Sequence, residues 1–157
     1  RRHRGGRGMN DHNTPLTRRR LRTWLRILRL TRRAENHLRE FLRSECDTTL
    51  PRFDVMAALH RAEKPMKMSE LSERLLVSNG NATTVVDRLE REGLVQRVAS
   101  ESDRRVKHVT LSDAGRARFE VLAHAHEAEV DKLFATLGHE ELDMMRTIIR
   151  RMEGASQ

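Results

Sequence analysis

Apolar residues recur at three- and four-residue spacing along most of this chain, and short Val- and Thr-rich runs interrupt them once, between residues 94 and 111. Over residues 18–44, Leu21, Trp24, Leu25, Leu28, Thr31, Leu38, Phe41 and Leu42 mark one face of a long helix. The other faces carry Arg18, Arg19, Arg20, Arg22, Arg26, Arg29, Arg32 and Arg33. A second helix is predicted over 50–61, with Pro51 near N1 and Phe53, Val55, Met56 and Leu59 apolar. A third spans 68–77, capped by Ser69, with Leu71, Leu75 and Leu76 on one side. Ser78, Asn79, Gly80 and Asn81 read as a tight turn in which Gly80 is free to take positive φ. A fourth helix over 81–92 buries Ala82, Val85, Val86 and Leu89, and Gly93 ends it. Strands follow over 94–99 and 106–111, flanking a polar tip at 100–105. Ser112 then caps a helix to about 137, closed by Gly138, and a last helix covers 140–152 with Leu142, Met145, Ile148, Ile149 and Met152 apolar.

Two helices joined by a short turn, the second polar on its outer face, fit a helix-turn-helix, and a hairpin with arginines at its tip directly behind them is a wing. Such a motif lays its second helix in the DNA major groove. Thr83, Thr84, Asp87, Arg88 and Arg91 make the outer face of that helix. Asn79, Asn81, Thr83, Thr84 and Arg88 are the candidates for base and phosphate contact. Asn suits adenine, the Thr methyl suits thymine, and Arg suits guanine or phosphate. Arg104 and Arg105 are the candidates for the neighbouring minor groove, whose narrow A·T-rich form attracts arginine.

The run GNATTVVDRLEREGLVQRVASESDRRVKHVTLSDAGR resembles the MarR family of winged helix-turn-helix regulators, most specifically in Asp103, Arg104 and Arg105 followed by Val109, Thr110, Leu111, Ser112 and Gly115. The order of elements from about 21 to 152 is similar too. The resemblance implies a mostly α fold with a small β-hairpin wing, and a homodimer whose platform is made by the first and last helices. It divides the chain into a flexible segment (1–17), a first dimerisation helix (18–49), a winged DNA-binding lobe (50–111) and C-terminal dimerisation helices (112–157). It also implies that Asp103 braces the wing arginine. Members of the family commonly repress, and leave double-stranded DNA when a phenolic or aromatic acid binds between platform and lobe. The version of the recognition helix here is similar to the branch controlling aromatic-acid catabolism, where a CoA thioester is an effector. Arg22, Arg26 and Arg29 would then meet its phosphates.

Composition narrows the alternatives. The net charge of +8 suggests an anionic partner, although the four arginines of RRHRGGRG at residues 1–8 supply half of it. That segment reads as a remnant or upstream extension ahead of Met9, rather than a phosphate-tracking arm. No apolar run reaches the roughly 18 residues of a membrane span, no signal peptide is visible, and one cysteine excludes an internal disulfide framework. The expected compartment is therefore the cytoplasm. Cys46 reads as a structural thiol rather than a redox sensor. His124 and His126 fall on different helix faces, and neither a zinc spacing nor a nucleophile motif is present. No metal, no required cofactor and no enzymatic activity are expected. A sequence-tolerant architectural DNA binder and a helical interaction protein remain as other readings.

Overall fold

A computed structural model describes residues 14–155. Elements run α1 (Pro15–Glu45), α2 (Leu50–Ala62), β1 (Met66–Lys67), α3 (Met68–Leu75), α4 (Asn79–Arg91), β2 (Val95–Ala99), β3 (Lys107–Leu111), α5 (Asp113–Phe134) and α6 (His139–Gly154). The fold is mostly helical with one small antiparallel sheet, as the sequence pattern implies. Two compact units divide after His37, within the continuous helix α1.

In the first unit, α1 starts three residues before the expected position. Thr14 accepts the Thr17 amide at 3.1 Å, an N-cap bond, and Pro15 takes the first helical position, where a missing N–H costs nothing. Residues 15–17 of the segment expected to be flexible are thus helical, and its residues 1–13 lie outside the described ones. Leu21, Trp24 and Leu25 of the apolar stripe are more than half exposed.

In the second unit, Phe53, Val55, Met56 and Leu59 of α2 form the centre of the core, with Leu42, Leu71, Val86, Leu89, Val95, Val109, Phe119 and Leu122 around them. Phe53 and Phe119 approach to 5.6 Å between ring centroids, and His126 stacks on Phe53 at 4.3 Å. The Thr49 side chain caps α2 through the Arg52 amide at 3.3 Å.

Several local expectations needed correction. The N-cap of α3 is Lys67, whose amide reaches the Glu70 carboxylate, because the two-residue strand β1 brings the chain in extended up to that point. The sequence pattern missed β1, which pairs with β3 in the register Met66↔Val109. Helix α3 ends at Leu75, and Leu76 takes a left-handed φ of 55° and is 92% exposed rather than joining the buried stripe. The expected turn is shorter than supposed. Ser78 caps α4 by accepting the Asn81 amide at 3.2 Å, so Asn79 and Gly80 are already helical. Helix α5 stops at Phe134, and Gly138 begins α6 instead of ending α5, its amide bonded to Glu141 at 2.6 Å.

Behind α4 the chain closes as expected. Gly93 has φ 74°, its amide bonds the Glu90 carbonyl and the Leu94 amide bonds the Leu89 carbonyl, the two bonds of a Schellman motif. Strands β2 and β3 pair from Val95↔Leu111 to Ala99↔Lys107. Ser112 locks the base of this hairpin three ways. Its hydroxyl donates to the Gly93 carbonyl at 2.6 Å and accepts the Gly115 amide at 2.9 Å, and its own amide reaches the Leu94 carbonyl.

Candidate nucleic-acid interface

Helix α4 buries Ala82, Val86 and Leu89, leaving Asn81, Thr84, Arg88 and Arg91 exposed along its outer side with Thr83 half-buried beside them. The two threonines return their hydroxyl protons to the helix, Thr83 to the Asn79 carbonyl at 2.7 Å and Thr84 to the Gly80 carbonyl at 3.0 Å. What remains outward is a methyl group and oxygen lone pairs, a surface suited to a thymine methyl. Arg88 makes no ion pair among the described residues and keeps all its donors.

Asn79 belongs to another job. Ser72, buried in α3, has its hydroxyl 2.8 Å from the Met68 carbonyl and 2.5 Å from the Asn79 side-chain oxygen position. One hydroxyl proton serves one acceptor, so both contacts are satisfied when the Asn79 amide presents its NH2 to Ser72. Asn79 thus joins the two helices of the motif through its side chain while remaining exposed. Sequence reading had no signal for this, because the pairing links positions seven apart across the turn.

At the wing, Arg104 and Arg105 are exposed and outside any ion pair among the described residues. Asp103 braces the tip through the backbone. Its carboxylate accepts the Arg105 amide at 2.9 Å and its carbonyl accepts the Val106 amide at 3.0 Å. The brace fixes the chain that carries the arginine rather than its guanidinium.

The acids of α4 pair with arginines outside the helix. Asp87 and Glu90 both receive Arg97 of β2, at 2.6 and 2.9 Å, while Arg91 turns its Nε to the Asp87 carbonyl. Glu92 at the end of the helix pairs with Arg52 of α2. The hydrogen bond to Asp87, reinforced by Glu90, raises the Arg97 guanidinium above its ordinary value despite partial burial.

Beside this surface a cleft of about 430 Å³ is lined by Arg39, Arg43, Arg52 and Arg88 with Pro51, Thr84 and Val85. Arg22, Arg26 and Arg29 lie exposed on α1, on the unit before His37. Cys46 is half-buried, and burial pushes its thiol up, the reverse of what a reactive thiolate needs. Among the described residues no group of three His, Cys, Asp or Glu side chains is placed to hold a metal ion, and no helix is long and apolar enough to cross a membrane.

A model of the MarR family matches residues 48–107, from the cap of α2 to the start of β3. The HTH-type transcriptional regulator MhqR of Bacillus subtilis is 30% identical over 93 residues, which cover 59% of this chain. The chain spans 63% of that regulator's length. Among solved structures, a MarR family transcriptional regulator from Silicibacter pomeroyi is 28% identical, with a TM-score of 0.78 over 92% of this chain and all of that one. A mutant of MarR from E. coli complexed with operator DNA shares the fold at a TM-score of 0.74 over 88% of this chain and 99% of that one, with 24% identity.

Proposed function

We propose that the chain is a member of the MarR family, a DNA-binding transcriptional regulator acting as a homodimer on a two-fold symmetric site. The observation that carries this reading is the distribution of unpaired cations. Both acids within α4 and the one at its end are engaged by arginines from outside the helix, while Arg88, Arg104 and Arg105 have no carboxylate partner among the described residues. Recognition helix and wing thus present donors to an anionic duplex, with the acids of α4 already drawn to other arginines. Asn81, Thr83, Thr84 and Arg88 take the major groove, and Arg104 and Arg105 the adjacent minor groove. Its relatives in the comparisons are regulators, and it is not an enzyme.

Exposed apolar positions support the dimer: Leu21, Trp24 and Leu25 of α1 are more than half exposed, and no residue of α6 is buried. A two-fold axis then sets half-sites ~10 bp apart. The outcome is repression, relieved by a small anionic effector such as an aromatic acid or its CoA thioester. Two cationic places suit such a ligand: the cleft lined by Arg39, Arg43, Arg52 and Arg88, and the row Arg22, Arg26 and Arg29. An effector acts only by binding the DNA-competent and incompetent dimers unequally.

Anisotropy titration against the duplex flanking its own gene, with competitor DNA, tests the reading. The expected result is a specific complex that Arg105→Ala weakens by roughly tenfold or more. Equal affinity for every duplex would replace it with a sequence-tolerant architectural binder. Absence of any complex would leave a helical interaction protein. Calorimetry with aromatic acids and aromatic acyl-CoAs tests the effector, and no heat with either class removes that part alone.

A further inference from the structure

Arg97 lies on β2, behind the tip, and had no place in the sequence reading of the interface. Its guanidinium spans both carboxylates on one edge of α4, Nη2 to Asp87 at 2.6 Å and Nη1 to Glu90 at 2.9 Å. The two acids are three residues apart, so they stack along one side of the helix and present a fork-shaped acceptor. Arg97 itself is held by the sheet. It sits opposite Val109, which is fully buried, and the ladder continues through Val98↔His108 to Ala99↔Lys107. Beyond that, the Ser100 amide bonds the Val106 carbonyl, and Asp103 closes the tip onto Arg105. A continuous chain of hydrogen bonds therefore runs from the recognition helix, through one side chain, to the wing tip.

The base of the wing is fixed by backbone bonds at Gly93, Leu94 and Ser112. Those bonds set where the hairpin starts and leave its lean over α4 to side chains. Among the described residues, the side-chain ion pairs between α4 and the wing strands are the two of Arg97. The same contacts draw both carboxylates onto one guanidinium, which offsets one of the two negative charges next to Arg88 and Arg91 in the helix sequence.

We propose that Arg97 is a positioning residue for DNA recognition: by clamping Asp87 and Glu90 it holds the wing at a fixed lean on the recognition helix, so that Arg88 and Arg105 read one half-site as a unit. The proposal rests on the DNA-binding reading above. A group that only masked charge would change affinity without linking the two reading elements. A clamp makes the contribution of the wing depend on Arg97.

The test uses the full chain and a duplex selected from a random pool by the unaltered protein. Affinities are measured for the wild type, Arg105→Ala, Arg97→Gln, and the pair combined. The same four are repeated with Asp87→Asn and Glu90→Gln, which removes the exposed acids without restoring the clamp. Thermal unfolding of each variant confirms that it is folded at the assay temperature. Arg105→Ala is expected to cost roughly tenfold in the wild type and less than about twofold once Arg97 is Gln, with or without the acids. An equal factor in all backgrounds overturns the clamp while leaving the DNA reading intact. Recovery of the full Arg105 effect in the neutralised background also overturns it, in favour of charge masking. A wild-type chain that selects no duplex overturns the DNA reading and the proposal with it.

Discussion

Gly115 stands where no side chain fits. A Cβ built there falls far inside van der Waals contact with the carbonyl oxygen of Leu94, the same oxygen that accepts the Ser112 amide. Relief requires α5 to move off the wing base, so Gly115→Ala should lower stability by at least about 2 kcal/mol. Gly80 is the opposite case, helical and with nothing within 4 Å of its would-be Cβ, and Gly80→Ala should gain up to ~1 kcal/mol. Urea midpoints of the two variants check the pair, and a Gly115→Ala midpoint equal to wild type would contradict the close approach. His126 offers a third residue-scale test. Burial against Phe53 lowers its pKa below the ordinary histidine value, so the fold favours the neutral ring. The unfolded chain then takes up the proton first as pH falls. Its contribution is complete above the ordinary histidine pKa and is lost as pH drops through that value toward the folded one. Between pH 8 and pH 5.5 the wild type should lose more stability than His126→Phe, measured by denaturant midpoint. Equal losses would assign the pH dependence to other groups.

At the scale of elements, the sequence revealed what depends on local pattern and missed what depends on approach in space. Of the predicted stripe, Ala82, Val86 and Leu89 are buried and Val85 is half-buried at its edge, the Gly93 stop is where a left-handed residue was needed, and the strands pair around the expected tip. Gly80 misled because glycine tolerates both a turn and a helix, and Ser78 decided the matter by capping a helix that starts two residues earlier, at Asn79. Strand β1 is two residues long and exists only because β3 lies alongside, so no periodicity could announce it. Arg97 was invisible for the same reason, its partners being seven and ten residues away on another element. Helix α6 shows the limit of the single chain. Leu142, Met145, Ile148, Ile149 and Met152 keep their helical spacing, yet no residue of α6 is buried. An apolar stripe of that length in water is costly, and a second copy of the chain, offering the same stripe under a two-fold axis, covers it most simply. Ile149→Glu should therefore convert a dimer to a monomer in sedimentation equilibrium at micromolar concentration, with the winged lobe still folded by circular dichroism. A variant that sediments as the wild type does would remove α6 from the interface.

For the whole molecule, net charge is a poorer guide than where charge is left uncompensated. Half of the +8 belongs to residues 1–8, and many of the remaining arginines are spread along α1 or paired with acids. Two classes of cation at the interface should separate in a salt titration. Arg104 and Arg105 are unpaired among the described residues, so each phosphate they neutralise releases counterions, and log K falls with log[salt] at about 0.9 per phosphate. A symmetric dimer carries each residue twice. Arg105→Ala should thus reduce the slope by up to about 2 if both copies lie against phosphates. Arg97 is already neutralised by Asp87 and Glu90, and as a clamp it makes no phosphate contact of its own. Neutralising it together with both acids should weaken specific binding by releasing the wing. Its effect on the slope should then come through lost wing contacts, and be largely absent when Arg105 is already Ala. Fluorescence anisotropy from 50 to 300 mM salt, on the selected duplex, measures both quantities at once. An unchanged slope for Arg105→Ala would place the wing tip off the DNA. A slope change for the neutralised Arg97 variant that persists in the Arg105→Ala background would mean that Arg97 meets phosphate directly, and that its two carboxylate partners release it on binding.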